Sequence, residues 1–193
     1  MKYDAQMIIQ KELDSGERLL WAGMPKQGTI FKSSDVFMIP FSLLWGGFAI
    51  FWEYMALSMA PNAQNAPDGF ALLFPLFGIP FVVIGLYMIF GRFIYDSKKR
   101  EKTFYGLTDQ RAIIVSGVFS KSVKSLNLKT MSDVSLSEKT NGYGSIVFGQ
   151  EHQMMSMFMG GGFPGMGGST TPKFELIENA KHVYKQLREH QKS

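Results

Sequence analysis

The residue types that most often carry catalysis or metal binding are sparse in this sequence. The 193 residues include no cysteine, which excludes disulfides, thiolate metal ligands and cysteine nucleophiles. His182 and His190 lie eight positions apart on a predicted helix, too far to share a metal ion, and His152 lies on a predicted loop. The glycines at 160–162 are not followed by the Lys-Ser/Thr of a phosphate-binding loop. We therefore predict no enzymatic activity, no metal site and no cofactor.

A basic cluster that directly follows an apolar run is the clearest candidate for ligand contact. Near a bilayer surface each basic side chain gains about 1 kcal/mol from anionic lipids. The predicted lipid headgroup contacts are Arg92, Lys98, Lys99, Arg100 and Lys102. The alternative is that these residues only flank a membrane span. The net charge of +4 is too small to predict nucleic acid binding.

The elements that would position this cluster are two long apolar runs. Residues 36–52 and 69–91 contain no charged residue. A bilayer core is crossed by roughly 20 apolar residues in a helix, which satisfies its own backbone hydrogen bonds in lipid. The polar connector, residues 60–69, is typical of a turn. We predict a two-helix transmembrane hairpin over residues 35–94. Two buried helices of a soluble domain are disfavoured, because both runs are apolar on every face.

The distribution of basic residues predicts the orientation of this hairpin. All 20 Lys and Arg residues lie outside residues 36–91. Basic residues are retained on the cytoplasmic side of a membrane, so both termini are predicted to be cytoplasmic.

The apolar character of the first run continues after residue 52 to Met59, and Glu53 is the only charged side chain inside these spans. An intramembrane carboxylate often marks a proton or ion site. Residue 53, however, lies roughly 25 Å along the helix from residue 36, beside Trp52 and Tyr54, and fits the outer headgroup level. Points of close packing between the two helices are predicted at Gly46, Gly47, Gly78 and Gly85.

From Lys102 onward the sequence alternates apolar and polar residues in short pieces. A turn at residues 141–144 and the regular spacing predict five or six antiparallel strands. The chain ends in a predicted amphipathic helix from Asn179 to Gln191. The apolar stripe of this helix consists of Ala180, Val183, Tyr184 and Leu187.

The predicted fold class is an α+β membrane protein with a transmembrane hairpin and a cytoplasmic β roll or barrel. Residues 1–34 are predicted to form a cytoplasmic N-terminal segment with a short helix and a strand. Residues 95–193 are predicted to form the β domain, which is closed by its C-terminal helix.

Motifs along most of the chain resemble those of one protein family. They are Gly16-Glu17-x-Leu19-Leu20-Trp21-x-Gly23-x-Pro25, Ile39-Pro40-Phe41-Ser42-Leu43-Leu44-Trp45-Gly46-Gly47-Phe48, Gly78-Ile79-Pro80-Phe81 with Gly85-Leu86-Tyr87, Tyr105-x-Leu107-Thr108-Asp109-Gln110-Arg111, Val123-Lys124-Ser125-Leu126, Gly142-x-Gly144-Ser145-Ile146-x-Phe148-Gly149 and Phe174-x-x-Ile177. The sequence resembles the bacterial membrane-anchored proteins with a pleckstrin-homology-like (PH-like) domain. This resemblance implies a PH-like roll with a C-terminal helix, frequent self-association and a location in the bacterial inner membrane. It implies no catalytic or ligand-binding residues.

A glycine- and methionine-rich insert at residues 150–172 departs from the family pattern. Flexible thioethers and phenylalanines on such a loop suit contact with a bilayer or a neighbouring subunit. The alternative is an insertion without a role, because ordering so many glycines costs entropy. The residues predicted to make membrane or subunit contact are Met154, Met155, Met157, Phe158, Met159 and Phe163.

These features leave three functional hypotheses. The first is a non-enzymatic, membrane-tethered interaction or scaffold module that binds a protein partner or its own copies. The second is a module that senses anionic lipids through the basic cluster. The third, an oligomeric channel or transporter subunit, is disfavoured because the spans carry no polar stripe for a pore. The predicted partners are membrane lipids, further copies of the chain and an unidentified membrane or cytoplasmic protein, without nucleic acid.

Overall fold

The computed structural model describes residues 2–32, 34–59, 69–131, 133–149 and 171–191. Within these ranges the chain forms two compact units. Residues 31–95 contribute the described part of a helical unit, and the remaining described residues form a unit of helices and strands.

Two long helices make up the helical unit. Helix α2 spans Asp35–Met59 and helix α3 spans Phe70–Leu86. The backbone stays helical through a π-helical turn at Tyr87–Gly91 and through α4, Arg92–Glu101. The second apolar helix therefore continues past the residue 94 limit that the sequence suggested and ends at Glu101.

The other unit contains two antiparallel sheets. The first has the strand order β1-β2-β3-β4, and the second has the order β5-β6-β7. The strands are β1 Leu19–Gly23, β2 Phe104–Thr108, β3 Arg111–Ser116, β4 Ser122–Asn127, β5 Val134–Glu138, β6 Tyr143–Phe148 and β7 Lys173–Glu178. Helix α1 spans Lys2–Gln10, and the last helix, α5, spans Ala180–Gln191.

An apolar core lies between the two sheets and α5. Phe174 of β7 is fully buried at its centre, with its ring 4.8 Å from the ring of Tyr105 and 4.9 Å from that of Phe148, measured between centroids. Helix α5 closes this core with Ala180, Val183 and Leu187, and Tyr184, the fourth member of the predicted stripe, packs against it partly buried. Burial raises the pKa of the Tyr105 hydroxyl, which accepts a hydrogen bond from the Glu175 backbone amide.

The N-terminal segment belongs to this unit. Strand β1 pairs with β2 in antiparallel register, with Gly23 opposite Tyr105. Helix α1 covers the outer face of the first sheet, where Ile9 packs on Ile113 and Val115. The segment at residues 1–34, predicted as separate from the β domain, thus supplies a strand and a helix to the sheet unit. Both apolar helices lie within the connection between β1 and β2.

A buried carboxylate fastens the segment before β1 to the first sheet. Glu17 accepts hydrogen bonds from Thr108 Oγ1 at 2.7 Å and from both Nε and Nη2 of Arg111 at 2.9 Å. Its Oε2 atom also accepts a hydrogen bond from the Asp14 backbone amide at 2.9 Å. The Arg111 hydrogen bonds, opposed by burial, lower the pKa of Glu17 from 4.5 to about 2, and the same contact raises the pKa of Arg111.

The substitution Glu17→Gln should therefore lower the free energy of unfolding by about 2–3 kcal/mol at pH 7, because it removes the charge that Arg111 and Thr108 bind. Glu17 has a lower pKa when folded, so its ionisation stabilises the fold fully above pH 4.5 and progressively less as the pH falls toward 2. The difference between wild type and variant should shrink by more than half near pH 3. Denaturant unfolding of the detergent-solubilised protein at both pH values measures it.

Glu138→Gln provides the matched control, since Glu138 is an exposed carboxylate at the end of β5. An equal loss of stability in both variants, or a Glu17→Gln difference that does not change with pH, would contradict the role given to the Glu17 charge.

Candidate functional site

Small residues allow α2 and α3 to pack closely. The side of α2 that is buried carries Ser42, Gly46, Ala49 and Ala56. A Cβ added to Gly85 would lie 2.8 Å from the Gly46 Cα, so the two backbones meet at this point. Gly78 also faces α2, whereas a Cβ on Gly47 would meet nothing within 4 Å. Three of the four glycines predicted as packing points thus lie at the interface, and Gly47 faces open space.

Outside this narrow interface both helices present large apolar side chains. In each helix only 22% of the most apolar 18-residue stretch is buried. The core helix of a soluble domain is, in contrast, mostly buried. An exposed apolar surface of this extent marks contact with lipid or protein. By length and composition alone, α2 (Asp35–Met59) and the continuous helical stretch Pro75–Glu101 are long and apolar enough to cross a membrane. Exposed members include Phe37, Leu44, Phe48, Phe51, Leu57, Leu73, Phe77 and Val83.

A buried ion pair joins the start of α2 to the helix that follows α3. Asp35 and Arg92 approach to 2.9 Å, and each side chain is only 9% exposed. Asp35 also accepts a hydrogen bond from the Lys32 backbone amide at 2.7 Å. The Arg92 guanidinium lies over the Phe93 ring at 4.4 Å from its centroid. The pair neutralises both charges within the helical unit and fixes the two chain segments against each other.

Glu53 faces α3. Its Oε2 atom is buried and has no hydrogen-bond partner within the described part of the chain. A Cβ on Gly78 would lie 1.9 Å from this oxygen, so the glycine leaves the space that the carboxyl group occupies. The carboxyl group is therefore packed between helices and is half-buried.

The five basic residues predicted to contact lipid headgroups differ in their exposure to solvent. Lys98, Lys99 and Lys102 are exposed. Arg92 and Arg100, in contrast, are only 8% and 5% exposed. Both guanidinium groups lie inside the structure, on Asp35 and Asp96, so they are less accessible to a headgroup than the three lysines are. The contact of all five residues with lipid stays a prediction.

The partners of Arg100 explain its burial. Its Nη2 lies 3.3 Å from an Asp96 carboxylate oxygen, and its Nη1 donates to the Gly28 carbonyl at 3.3 Å. Gln27 in turn donates to the Arg100 carbonyl at 3.3 Å. Arg100 therefore holds the segment after β1 against α4. The sequence marked it only as basic, and the charge run alone does not show which members point inward.

The six residues predicted to contact a membrane or subunit through the insert lie outside the described residues. They are Met154, Met155, Met157, Phe158, Met159 and Phe163. Their predicted role stays a prediction.

In the parts of the chain that the structure describes, no group of three or more His, Asp or Glu residues is arranged to hold a metal ion. His190 Nδ1 lies 2.9 Å from the Gln186 carbonyl oxygen of its own helix, as a side chain that folds back on α5.

The comparison with family models gives one match that spans most of the sheet unit. The model described as "Bacterial PH domain" matches residues 63–191. The chain belongs to the bacterial PH domain family. This confirms the resemblance seen in the sequence motifs. The comparisons with curated proteins and with solved structures gave no match.

Within this bacterial PH domain protein, the match covers α3, α4, β2 to β7 and α5. Helix α1, strand β1 and helix α2 precede it. The Tyr105-to-Arg111 motif includes two members of the Glu17 network, Thr108 and Arg111. That motif therefore serves to hold the N-terminal segment on the first sheet.

Gly85→Ala should weaken the helix pair by about 1–3 kcal/mol, because the new Cβ would overlap the Gly46 backbone, which has no side chain to move aside. Gly47→Ala is the matched control, with a change within about 0.5 kcal/mol, since the added methyl group enters open space. Unfolding of the purified protein by an SDS titration in mixed micelles, followed by circular dichroism, gives both values. Equal stability of the two variants would show that Gly85 is not a contact point.

Proposed function

We propose that this protein anchors a bacterial PH domain in the bacterial inner membrane through a two-pass helical hairpin. The observation that carries the proposal is the continuous apolar surface that α2 and α3 expose around their small-residue interface. In water this surface would drive aggregation, whereas in a bilayer it meets lipid chains. The absence of Lys and Arg from residues 36–91 supports an orientation with both termini in the cytoplasm.

The anchored domain acts as a non-enzymatic interaction or scaffold module. Two features of the sheets support this role. Strand β4 forms one edge of the first sheet and β5 one edge of the second. Residues of both strands are largely exposed, and an open strand edge offers backbone hydrogen bonds to a partner strand. The partner is a membrane or cytoplasmic protein, or further copies of the chain.

Fractionation followed by mass measurement tests the anchor and the module together. The full-length chain should stay in the membrane fraction after a carbonate wash, because its apolar helices are embedded. After extraction in a mild detergent it should elute with a protein mass above that of one 21.7 kDa chain. Light scattering coupled to size exclusion supplies the mass.

The two parts of the proposal fail separately in this experiment. Recovery of the chain in the aqueous fraction would rule out the anchor. Recovery from the membrane as a lone monomer, repeated in several mild detergents, would rule out the scaffold role and leave the anchor in place.

A second candidate function, the sensing of anionic lipids, is favoured by one observation. Lys98, Lys99 and Lys102 are exposed near the end of α4, directly after the apolar helix. Lys98 pairs with Glu101 on the surface at 3.0 Å, and such an exposed pair is easily exchanged for a lipid phosphate. Basic residues immediately beyond a span are the usual sequence feature for this contact.

Replacing Lys98, Lys99 and Lys102 together by Gln should remove up to about 3 kcal/mol of attraction to anionic lipid. Phosphatidylglycerol added to the detergent-solubilised protein should raise the melting temperature of the wild type, and the triple variant should lose at least half of that increase. Salt should reduce the effect, because exposed charges are screened.

A control variant changes the same amount of charge elsewhere. Lys139, Lys181 and Lys185 are exposed on other elements of the sheet unit. Their triple Gln variant should keep the full response to phosphatidylglycerol. A similar loss in both triple variants would mean that only net charge matters, and the basic cluster would not be a specific contact.

A further inference from the structure

Strand β5 lies at the edge of the second sheet, and its pairing with β6 shows which of its backbone groups are used. The Lys139 amide donates to the Tyr143 carbonyl at 2.8 Å, and the Gly149 amide donates to the Asp133 carbonyl at 2.7 Å. In an antiparallel ladder, hydrogen-bonded pairs alternate with pairs that are not hydrogen-bonded. The odd-numbered residues of β5 therefore bind β6, and the even-numbered residues direct their amides and carbonyls toward the open edge.

The even-numbered residues offer these backbone groups to a further strand. Within the described part of the chain, no hydrogen bond beyond the β5–β6 ladder ends on the amide or carbonyl of Leu136 or Glu138. The Val134 carbonyl accepts a hydrogen bond from the Tyr184 hydroxyl at 3.3 Å, and a carbonyl oxygen has a second lone pair for another donor. Such a row of backbone groups is a template for pairing with another chain.

Strand β5 also lacks the charge that protects the edge of β4. Lys124 lies in the middle of β4 and is exposed. A lysine on an edge strand opposes pairing with a second strand. The middle of β5 is Ser135-Leu136-Ser137, which carries no charge. Of these two edges, β5 is therefore the better suited to a strand partner.

The backbone of β5 matches a second copy of itself in an antiparallel register centred on Leu136. In this register Leu136 lies opposite its own copy, and Val134 lies opposite Glu138. All of these are edge-facing residues, so the amides and carbonyls of one strand meet those of the other as hydrogen-bonded pairs.

The outer face of β5 is self-complementary in the same register. Ser135 lies opposite Ser137 of the other copy, Asp133 lies opposite Lys139, and all four residues are exposed. These positions form pairs without hydrogen bonds, in which opposite side chains come closest together. One Asp–Lys pair then lies at each end of the contact, and cross-strand pairs of opposite charge stabilise a sheet. A shift by two residues in either direction separates both charges from their opposites.

We propose that the β5 edge is the site of self-association, where a second copy of this chain pairs β5 with β5 in the register centred on Leu136. The contact joins two three-stranded sheets into one. It has two-fold symmetry, so it closes with two chains and does not extend into a filament. The inference rests on the proposed function, since it specifies how further copies of the chain bind.

Disulfide formation in the full-length protein tests the register, because the chain has no cysteine of its own. Ser135→Cys and Ser137→Cys chains with different epitope tags are co-expressed and oxidised in isolated membranes. Opposite residues in a pair without hydrogen bonds have Cα atoms about 4.5 Å apart, a distance that a disulfide can bridge. Ser125→Cys, exposed on the edge of β4, is the matched control. Light scattering in a mild detergent gives the mass of each variant.

The mixed 135–137 disulfide should form about fivefold faster than a disulfide within either variant alone, because residue 135 meets its own copy only diagonally, at about 7–8 Å. Dominant 135–135 or 137–137 disulfides would overturn the register. A dominant disulfide between Ser135→Cys and Ser125→Cys chains would assign the β5 edge to β4 and overturn the two-fold contact. Absence of every disulfide, with a mass above one chain, would overturn the β5 contact and leave the proposed scaffold role standing. A lone monomer would refute both.

Charge reversal tests the pairs at the two ends of the contact. Asp133→Lys and Lys139→Asp should each lower the yield of the mixed disulfide by about fivefold, because each places like charges opposite each other. The two changes together exchange the charges and should restore the yield to within about twofold. Lys129→Asp, at an exposed lysine after β4, should leave the yield unchanged. A combined variant with no more disulfide than the single variants would contradict the Asp–Lys pairs and the register that they define.

Discussion

The antiparallel pairing of β1 with β2 is the contact on which the rest of the structure depends. Between these neighbouring strands lie residues 24–103, which include both apolar helices. On the outer face of the first sheet, helix α1 packs closely on β2, where a Cβ on Gly106 would lie 2.4 Å from an Ile9 side-chain carbon. The Glu17–Arg111 network links the segment before β1 to the first residue of β3. A fragment that begins at residue 95 would lack β1 and α1, leave an open edge on β2 and expose the apolar face that Ile9 covers.

The two units use different means to bury polar groups. In the sheet unit, Glu17 has partners for both carboxylate oxygens, and its charge contributes to stability. In the helical unit, small residues bring backbones together while Asp35 and Arg92 neutralise each other. Such a pair stabilises by avoiding an uncompensated buried charge more than by net attraction. Removing one partner would therefore be more harmful than replacing both.

The sequence predicted the elements well and their partners less well. Apolar length predicted the two helices, and alternation predicted strands from Phe104 to Phe148, because these patterns report which face of an element is buried. Pairing across a long insertion has no local signal, so the place of β1 in the first sheet came only from the structure. The same limit applies to the basic cluster: charge indicated five contacts, but burial of Arg92 and Arg100 depends on Asp35, Asp96 and Gly28, two of them distant in sequence.

Because the helices lie between β1 and β2 in the sequence, the first sheet can form only late in synthesis. A ribosome that adds about 5–20 residues per second needs about 4–16 s to synthesise residues 24–103 after β1 has emerged. During that interval the nascent chain carries a strand without its neighbour. Strand β1 can pair with β2 only after both apolar helices have left the ribosome. A chain that stalls within these helices therefore keeps an unpaired β1 that proteases can attack.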